Sequence, residues 1–398
     1  MMGVIKGAAS GLVLAALLAS VGVSAKDEGA AAPAARLTQP PPREMADLQV
    51  LFWTDAQRSE RFRAMEQWFA GHEVPAAAAP RALPKGKPLP KRLRAEPKAL
   101  IAETSTAGIM VLEDGKVRFE GYGLGLGPKD RWTSFSVAKS FTSTLLGAAV
   151  KDGFIASLDD PVTKYIPGLA GSAYEGVTVR QLATMTSGVK WNEDYTDPNS
   201  DVARMNLFVA EFGPDAIVAQ MKALPREAEP GSKWVYKTGE TNLIGVLVEN
   251  AVGKPLAEYA KTKIIDPAGL EGGLFWMVDP RQGSIGGCCL SIRLADYARV
   301  GQFALEGGKG TVPEGWFAEA GAAQVDFAPQ EPGFGYGYQW WTYPGGAYGA
   351  QGIFGQGITL VPAKGLVIAY VGNWAQASGG PERDRFLAIS QTIADSIK

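Results

Sequence analysis

Two strand-forming runs lie at opposite ends of the chain, and that separation limits the fold more than any other feature. Near the front, "AGIMVLEDGKVRFEGYG" (Ala107 to Gly123) sets two β-like runs around Asp114-Gly115, a dipeptide that favours a two-residue hairpin turn. Near the end, "GITLVPAKGLVIAYVGN" sets two more around a turn at Pro362–Gly365. Helical patterns fill the interval. One helix is predicted from about Ser136 to Asp152, with Val137, Phe141, Leu145 and Ala148 as its apolar stripe and Gly153 as its stop. A short one follows Thr178, with Gln181 completing a capping box. Another spans Thr241 to Gly253, burying Ile244, Leu247, Val248 and Ala251, and a last one starts at Pro381 or Glu382. The order implies an α+β fold whose antiparallel sheet is formed by both chain ends and flanked by helices.

The chain has 398 residues, 46% of them hydrophobic, enough for a large core. Lys and Arg (39) nearly balance Asp and Glu (41), so no strong field steers nucleic acid, and none is expected as a partner. Lys6, the apolar run "LVLAALLASVGVSA" and Val23-Ser24-Ala25 before charged residues read as a signal peptide over 1–25. Export to the periplasm or medium follows, with no stable membrane span after cleavage; Gly22 and the short run argue against an uncleaved anchor. Residues 26–99 read as an N-terminal extension, partly a disordered linker, with an ordered element between Leu48 and Phe69. Its basic, Pro-rich part at 75–98 reads as an extended, solvated strap, or alternatively as an anion-binding patch. The domain proper covers 100–398.

Cysteine and histidine usage narrows the chemistry. Cys288 and Cys289 are adjacent, and neighbouring Cα atoms about 3.8 Å apart fall below the usual disulfide range of roughly 4.4–6.8 Å, so they read as buried thiols. The single histidine, His72, lies outside the domain and reads as a structural or surface residue. With no His/Cys cluster and no phosphate or dinucleotide fingerprint in context, no metal or cofactor is expected.

A hydrolase without a suitable histidine needs another base, and "SFSVAKS" (Ser134 to Ser140) offers one. Ser136 and Lys139 are three apart at a helix start, so the amine reaches the hydroxyl. A serine is a poor nucleophile until its proton is taken, and lysine takes it only when neutral. Lowering a lysine pKa from about 10.4 to about 7–8 needs roughly 4 kcal/mol, which burial at a helix N-terminus can supply. The same pair also reads as an N-cap serine and a solvated lysine, and alone it does not decide. A second Ser-x-x-Lys, Ser187 to Lys190, is broken by Gly188. Tyr236, in "GSKWVYKTGETNLIG", reads either as a proton-sharing phenol or as a core aromatic. Lys237-Thr238-Gly239 directly after it reads as coincidence.

Taken in order, "TSFSVAKSFTSTLLGAAVKDG", "LDDPVTKYIPGL", "GVTVRQLATMTSGVKWNEDY", the Tyr236 segment and "GGCCLSIRLADYARVGQFALEGGKG" resemble the serine hydrolases of the β-lactamase/penicillin-binding superfamily, over roughly Leu100 to Lys398. The class-C-like branch of esterases and 6-aminohexanoate-dimer (nylon oligomer) hydrolases is the most similar, through "WNEDYTDPNSDVARM". The resemblance implies a β-lactamase/transpeptidase-like sheet with a mainly helical region. It makes Ser136 the acylated serine, Lys139 its paired lysine and Tyr236 the acid/base tyrosine. It places the family's third motif at "AQGIFGQ" (Ala350 to Gln356), with the amides of Ser136 and Ile353 as oxyanion hole and Gly352 beside the substrate. It makes Tyr195 a substrate-contacting loop residue.

Two departures stand out: no Lys or His precedes the Gly of the late motif, and Ser200-Asp201 lacks the third member of the Ser-Asp-Asn box. The expected substrate is therefore a small amide or ester, admitted past an aromatic rim for which Trp340, Trp341 and Tyr343 are candidates, core packing being the equal alternative for them. A β-lactamase or DD-peptidase, and a non-catalytic binder of envelope ligands, remain the rival readings.

Overall fold

Strand pairing ties the two ends of the chain together. The computed structural model describes residues 35–206 and 212–397, so the leader expected at 1–25 lies outside the described residues. Its strands are β1 (Arg36–Thr38), β2 (Gly71–Val74), β3 (Thr106–Glu113), β4 (Lys116–Tyr122), β5 (Arg131–Thr133), β6 (Leu274–Met277) and β7 (Leu290–Arg293). After them come β8 (Val325–Asp326), β9 (Gly335–Tyr336), β10 (Trp341–Tyr343), β11 (Ala347–Gly352), β12 (Gln356–Val361) and β13 (Leu366–Gly372). The larger sheet has eight strands in the order β4-β3-β13-β12-β11-β10-β9-β8, and the smaller has five, β1-β2-β6-β7-β5. The seam between chain ends is antiparallel, with Val111 opposite Ile368 and Met110 opposite Ala369. This is the mixed helix and antiparallel-sheet architecture that the strand runs imply.

The helices that position the site are α1 (Lys91–Glu103), α2 (Ala138–Lys151), α3 (Thr238–Val252), α4 (Leu294–Leu305) and α5 (Pro381–Ser396). Both faces of the larger sheet are covered, which explains why β3 and β13 read as continuous apolar runs. Ile109, Val111, Ile368 and Tyr370 meet Leu93 and Leu100 of α1 and Phe386 and Ile389 of α5. Met110, Leu112, Val367 and Ala369 face the main core instead. There α4 crosses so closely that a Cβ on Gly301 would lie 2.5 Å from Val367, so only glycine permits the approach. In the helical region, α2 is buried from Ala138 to Ala149 and α3 from Thr238 to Val248.

Several boundaries differ from the sequence reading. Residues Phe135–Val137 form a 3₁₀ turn, and the α-helix expected from Ser136 starts at Ala138. The helix expected from Thr241 starts at Thr238, because the buried turn before it continues the same apolar packing. The Thr178/Gln181 capping box is present. The strap at 75–98 is extended only in its first part, where Gly86 and Leu89 donate to Val117 and Arg118 of β4. From Lys91 it is helix α1, because Leu93, Pro97 and Leu100 recur at helical spacing and bury against the sheet. Arg81 in this segment binds Glu306 through two hydrogen bonds of 2.7 and 2.6 Å rather than a free anion. The sulfurs of the adjacent Cys288 and Cys289, read as thiols, lie in contact. His72 lies buried in β2, opposite Leu37 and Trp276.

The segment before α1 is built into the core. Phe62 packs edge-on against Phe135 at 4.9 Å between ring centroids and, tilted, against Phe354 at 5.9 Å. Asn373, fully buried after β13, ties the same segment down. It accepts from Arg58 Nε at 2.6 Å and donates to Asp55 Oδ1 at 2.8 Å, the Asp55 carbonyl at 3.0 Å and Ser59 Oγ at 2.8 Å. Asn373→Ala strands these partners and is expected to cost about 2–3 kcal/mol in urea unfolding, with new protease cleavage between residues 45 and 60. An unchanged unfolding midpoint would mean that water replaces the amide without loss.

Candidate active site

The turn that carries Ser136 is held in an unfavourable conformation. Phe135 has φ 42°, in the left-handed region where a residue with a β-carbon is strained. The packing of its ring between Phe62 and Phe354 offsets that cost. On the other side, Ser134 N donates to the Leu290 carbonyl at 2.7 Å and Ser134 Oγ accepts from Leu290 N at 3.0 Å. The consequence is that Ser136 stays partly exposed while Phe135, Val137 and Lys139 on either side are buried.

Lys139 lies one turn further along, 1% exposed. Its Nζ donates to Ser136 Oγ at 3.1 Å, to Thr238 Oγ1 at 3.0 Å and to the Gly287 carbonyl at 2.7 Å. These use the full donor capacity of an ammonium. Burial nevertheless lowers its pKa from 10.5 to about 8, with the Glu193 carboxylate pulling the other way. The amine thus carries a labile proton near neutral pH and faces the one polar hydroxyl that opens to solvent.

Tyr236 borders the same space. Its ring stacks on Trp341 at 5.5 Å, and Lys139 Nζ sits 5.2 Å from its centroid. Burial, reinforced by the Glu193 charge, holds its phenol well above the usual range, against the opposing influence of the Ser136 hydroxyl and Arg383. Tyr236 is therefore a protonated phenol at neutral pH, suited to donate a proton rather than to take one.

The Lys237-Thr238-Gly239 run, whose likeness to the late-strand motif reads as coincidence, opens helix α3, and its threonine lies beside Lys139. Thr238 receives Lys139 through its hydroxyl, and its N–H donates to Glu193 Oε2 at 2.9 Å. Its hydroxyl donates in turn to Glu193 Oε1, which also accepts from Tyr195 Oη at 2.8 Å. Lys237 is buried against Glu240 at 3.7 Å. The sequence reading missed Glu193, Thr238 and the Gly287 carbonyl. Glu193 and Thr238 sat inside quoted motifs, but nothing local says that they meet. The second Ser-x-x-Lys does not form a pair: Ser187 is buried and donates to Glu240, while Lys190 is exposed.

Ser136 opens into a cleft of about 570 Å³ also bordered by Tyr195, Tyr236, Trp341, Ile353 and Arg383. Gly352 ends β11 with so little room that a Cβ there would meet the Ser134 carbonyl at 2.5 Å. Ile353 follows in a tight turn, with its carbonyl accepting from Gln356 Nε2 at 3.0 Å and Phe354 N bound to the Ala377 carbonyl at 3.0 Å. Of the three expected rim aromatics, Trp341 lines the cleft. Trp340 belongs to the core against Phe317 and Tyr348, and Tyr343 is tied to Gln351 by a 2.7 Å hydrogen bond. Arg383 borders the cleft from the first turn of α5. No group of His, Cys, Asp and Glu among the described residues has metal-holding geometry, and no described helix is long and apolar enough to cross a membrane.

Comparison with known proteins shows the family. The Beta-lactamase family model matches residues 98–392. The 6-aminohexanoate-dimer hydrolase of Paenarthrobacter ureafaciens is 29% identical over 291 residues, 69% of this chain and 74% of that protein. Esterase EstB of Burkholderia gladioli is 28% identical over 230 residues, and this match spans about half of each, 54% and 52%. Among solved structures, a candidate 6-aminohexanoate-dimer hydrolase from Bacillus anthracis superposes with a TM-score of 0.77 at 21% identity, over 90% of this chain and 98% of that one. At that identity the likeness concerns the fold.

The depressed pKa of Lys139 has a thermodynamic consequence. Between about 8 and 10.5 the unfolded chain holds a proton on this amine that the folded chain has released, so stability rises with pH across that window. Below pH 8 the penalty of burying the ammonium is fully present. Relative to Lys139→Met, the native protein should gain about 1 kcal/mol per pH unit across the window in denaturant unfolding. A difference flat in pH would show that the amine keeps its ordinary proton affinity.

Proposed function

This chain belongs to the Beta-lactamase family and is a hydrolase resembling 6-aminohexanoate-dimer hydrolase, and from that premise we propose that it is an exported serine hydrolase cleaving small amide or ester bonds through an acyl-enzyme on Ser136. The observation that carries the reading is the buried Lys139 amine, 3.1 Å from the Ser136 hydroxyl, with a pKa near 8. Neutral Lys139 takes the Oγ proton as Ser136 attacks the carbonyl carbon. The N–H groups of Ser136 and Ile353 hold the oxygen that becomes negative, a role worth about 3–4 kcal/mol per donor. Tyr236, protonated and beside Lys139, passes its proton to the leaving amine or alcohol as the tetrahedral adduct collapses and takes back the proton of the Lys139 ammonium, which leaves the lysine neutral again. Water then attacks the acyl group with Lys139 as base, and its proton restores the Ser136 hydroxyl.

Glu193 and Thr238 support this cycle by holding the lysine in place as its charge changes. Thr238 bridges Lys139 to the carboxylate, so the ammonium formed during attack has a counter-charge one hydroxyl away. Tyr195, on the same carboxylate, borders the cleft, which supports a role for it in contacting substrate. The open cleft and its mixed polar and aromatic walls suit a small linear amide or ester.

Fluorophosphonate labelling followed by intact-mass and peptide analysis tests the nucleophile. One adduct is expected, on Ser136, with labelling slowed at least about 100-fold in Lys139→Ala. An adduct on Ser187, or none on a folded protein, would sink the reading. Across a series of chromogenic esters, kcat/KM should rise about tenfold per pH unit and level off near pH 8, as Lys139 loses its proton. Turnover of a chromogenic cephalosporin at rates matching the esters would favour the β-lactamase reading instead. Export rests on the leader pattern alone: N-terminal sequencing of the mature protein should begin at Lys26, and an intact leader on a cytosolic protein would refute it.

A further inference from the structure

The geometry points to Arg383 as a positioning residue of the oxyanion site: we propose that its guanidinium orients and polarises the Gly352–Ile353 peptide, so that the Ile353 N–H becomes a stronger donor to the reacting oxygen. The inference rests on the acyl-transfer reading above and concerns a residue outside the Ser136, Lys139 and Tyr236 set.

Arg383 lies where a basic side chain gains nothing from its own helix. The first turn of α5 carries Glu382 and Asp384, as the positive end of a helix dipole favours, and Arg383 sits between them. Its guanidinium turns inward. Nη2 donates to the Gly352 carbonyl at 3.2 Å and Nη1 to Gln351 Oε1 at 2.5 Å, while the guanidinium lies 5.6 Å from the Trp374 ring. Gln351 is itself fixed, because its Nε2 donates to Tyr343 Oη at 2.7 Å.

The Gly352 carbonyl and the Ile353 N–H belong to one peptide unit. Among the described residues the only cis peptide is Ala328-Pro329, so this unit is trans and its N–H points away from its C=O. A cation on the oxygen draws electron density through the amide resonance and leaves the nitrogen a better hydrogen-bond donor. The next peptide is held as well, since the Ile353 carbonyl accepts from Gln356 Nε2 at 3.0 Å and Gln356 Oε1 accepts from Gly372 N at 3.0 Å. Both planes flanking Ile353 are thus fixed by side chains, one neutral and one charged. The charged one bears on the donor that would meet the oxyanion. A preorganised donor of this kind acts on the transition state and leaves ground-state binding nearly unchanged.

Arg383 borders the cleft, so a direct salt bridge to a substrate carboxylate is the competing role, and a matched substrate pair separates the two. The test compares native protein, Arg383→Met and Arg383→Lys on p-nitrophenyl butyrate, which is neutral, and on mono-p-nitrophenyl succinate, which carries a carboxylate. Arg383→Met is expected to lower kcat about 100-fold for both esters by the same factor, with KM changed less than threefold. Inhibition by a boronic acid, which forms a tetrahedral anion on the serine, should weaken by a matching factor. Arg383→Lys should recover part of each loss.

A loss confined to the carboxylate ester and expressed in KM would overturn the proposal in favour of direct carboxylate binding. Unchanged kcat on both esters would overturn it outright. Circular dichroism and fluorophosphonate labelling of Ser136 accompany each variant. If the native protein fails to label, the acyl-enzyme reading has failed. If it labels and Arg383→Met turns over normally, only the role of Arg383 has failed. Should Arg383→Met not fold, Gln351→Leu removes one anchor of the guanidinium without touching α5, and the same equal loss on both esters is expected, smaller in size. An unchanged kcat in a folded Gln351→Leu protein would count against the role.

Discussion

A lysine amine taken out of water is the constraint around which this molecule is arranged. Lys139 is almost completely buried, and an isolated ammonium in such a place would cost several kcal/mol. The fold meets that cost with one acceptor from the neighbouring turn and two from distant parts of the chain. Ser136 comes from the turn before α2, Thr238 from the first residue of α3, and the Gly287 carbonyl from the loop before β7. Each of these elements must be in place before the amine is satisfied, so the helical region and the sheet edge are coupled through one nitrogen. Enough of the desolvation penalty remains to bring the pKa down to about 8.

The exposure of Ser136 depends on a second arrangement, the strained Phe135. Its ring is gripped by Phe62, from a segment that precedes the residues matched by the Beta-lactamase family model, and by Phe354, from the turn that follows β11. That segment is in turn clamped to the end of β13 by Asn373. The N-terminal residues therefore contribute to the site without supplying any of its reacting groups. Their contribution is to keep the serine turn in a conformation that the local chain would not adopt alone.

Much of this was legible in the linear order of residues. The Asp114-Gly115 hairpin and the Pro362–Gly365 turn announce strands at both ends, and the helical patterns between them imply a sheet joined from both ends and flanked by helices. Ser136 and Lys139 are one turn apart by spacing alone, and Ser187 and Lys190 share no helix, since the preceding helix ends at Ala183 and Gly188 has φ 74°. Helix starts were less legible, because Thr238 and Ala138 lie in turns whose helical state depends on what they pack against. The strap at 75–98 was misread in its second half for a related reason. Its basic residues hide a Leu93, Pro97 and Leu100 stripe that matters only once a sheet face is available to bury it.

The sequence by itself determined the chemistry that could be offered: a serine with a lysine one turn away, a tyrosine in a second motif, and no histidine placed to replace them. These follow from spacing along single elements, where local geometry is enough. Only the tertiary structure decided that Glu193 and Thr238 stand behind Lys139, that Trp340 is core while Trp341 is wall, and that the cation of the cleft is Arg383 from the last helix. Such contacts join residues far apart in the chain, and their energies come from burial and charge in a shared low-dielectric space. That space does not exist until the two ends of the chain have paired.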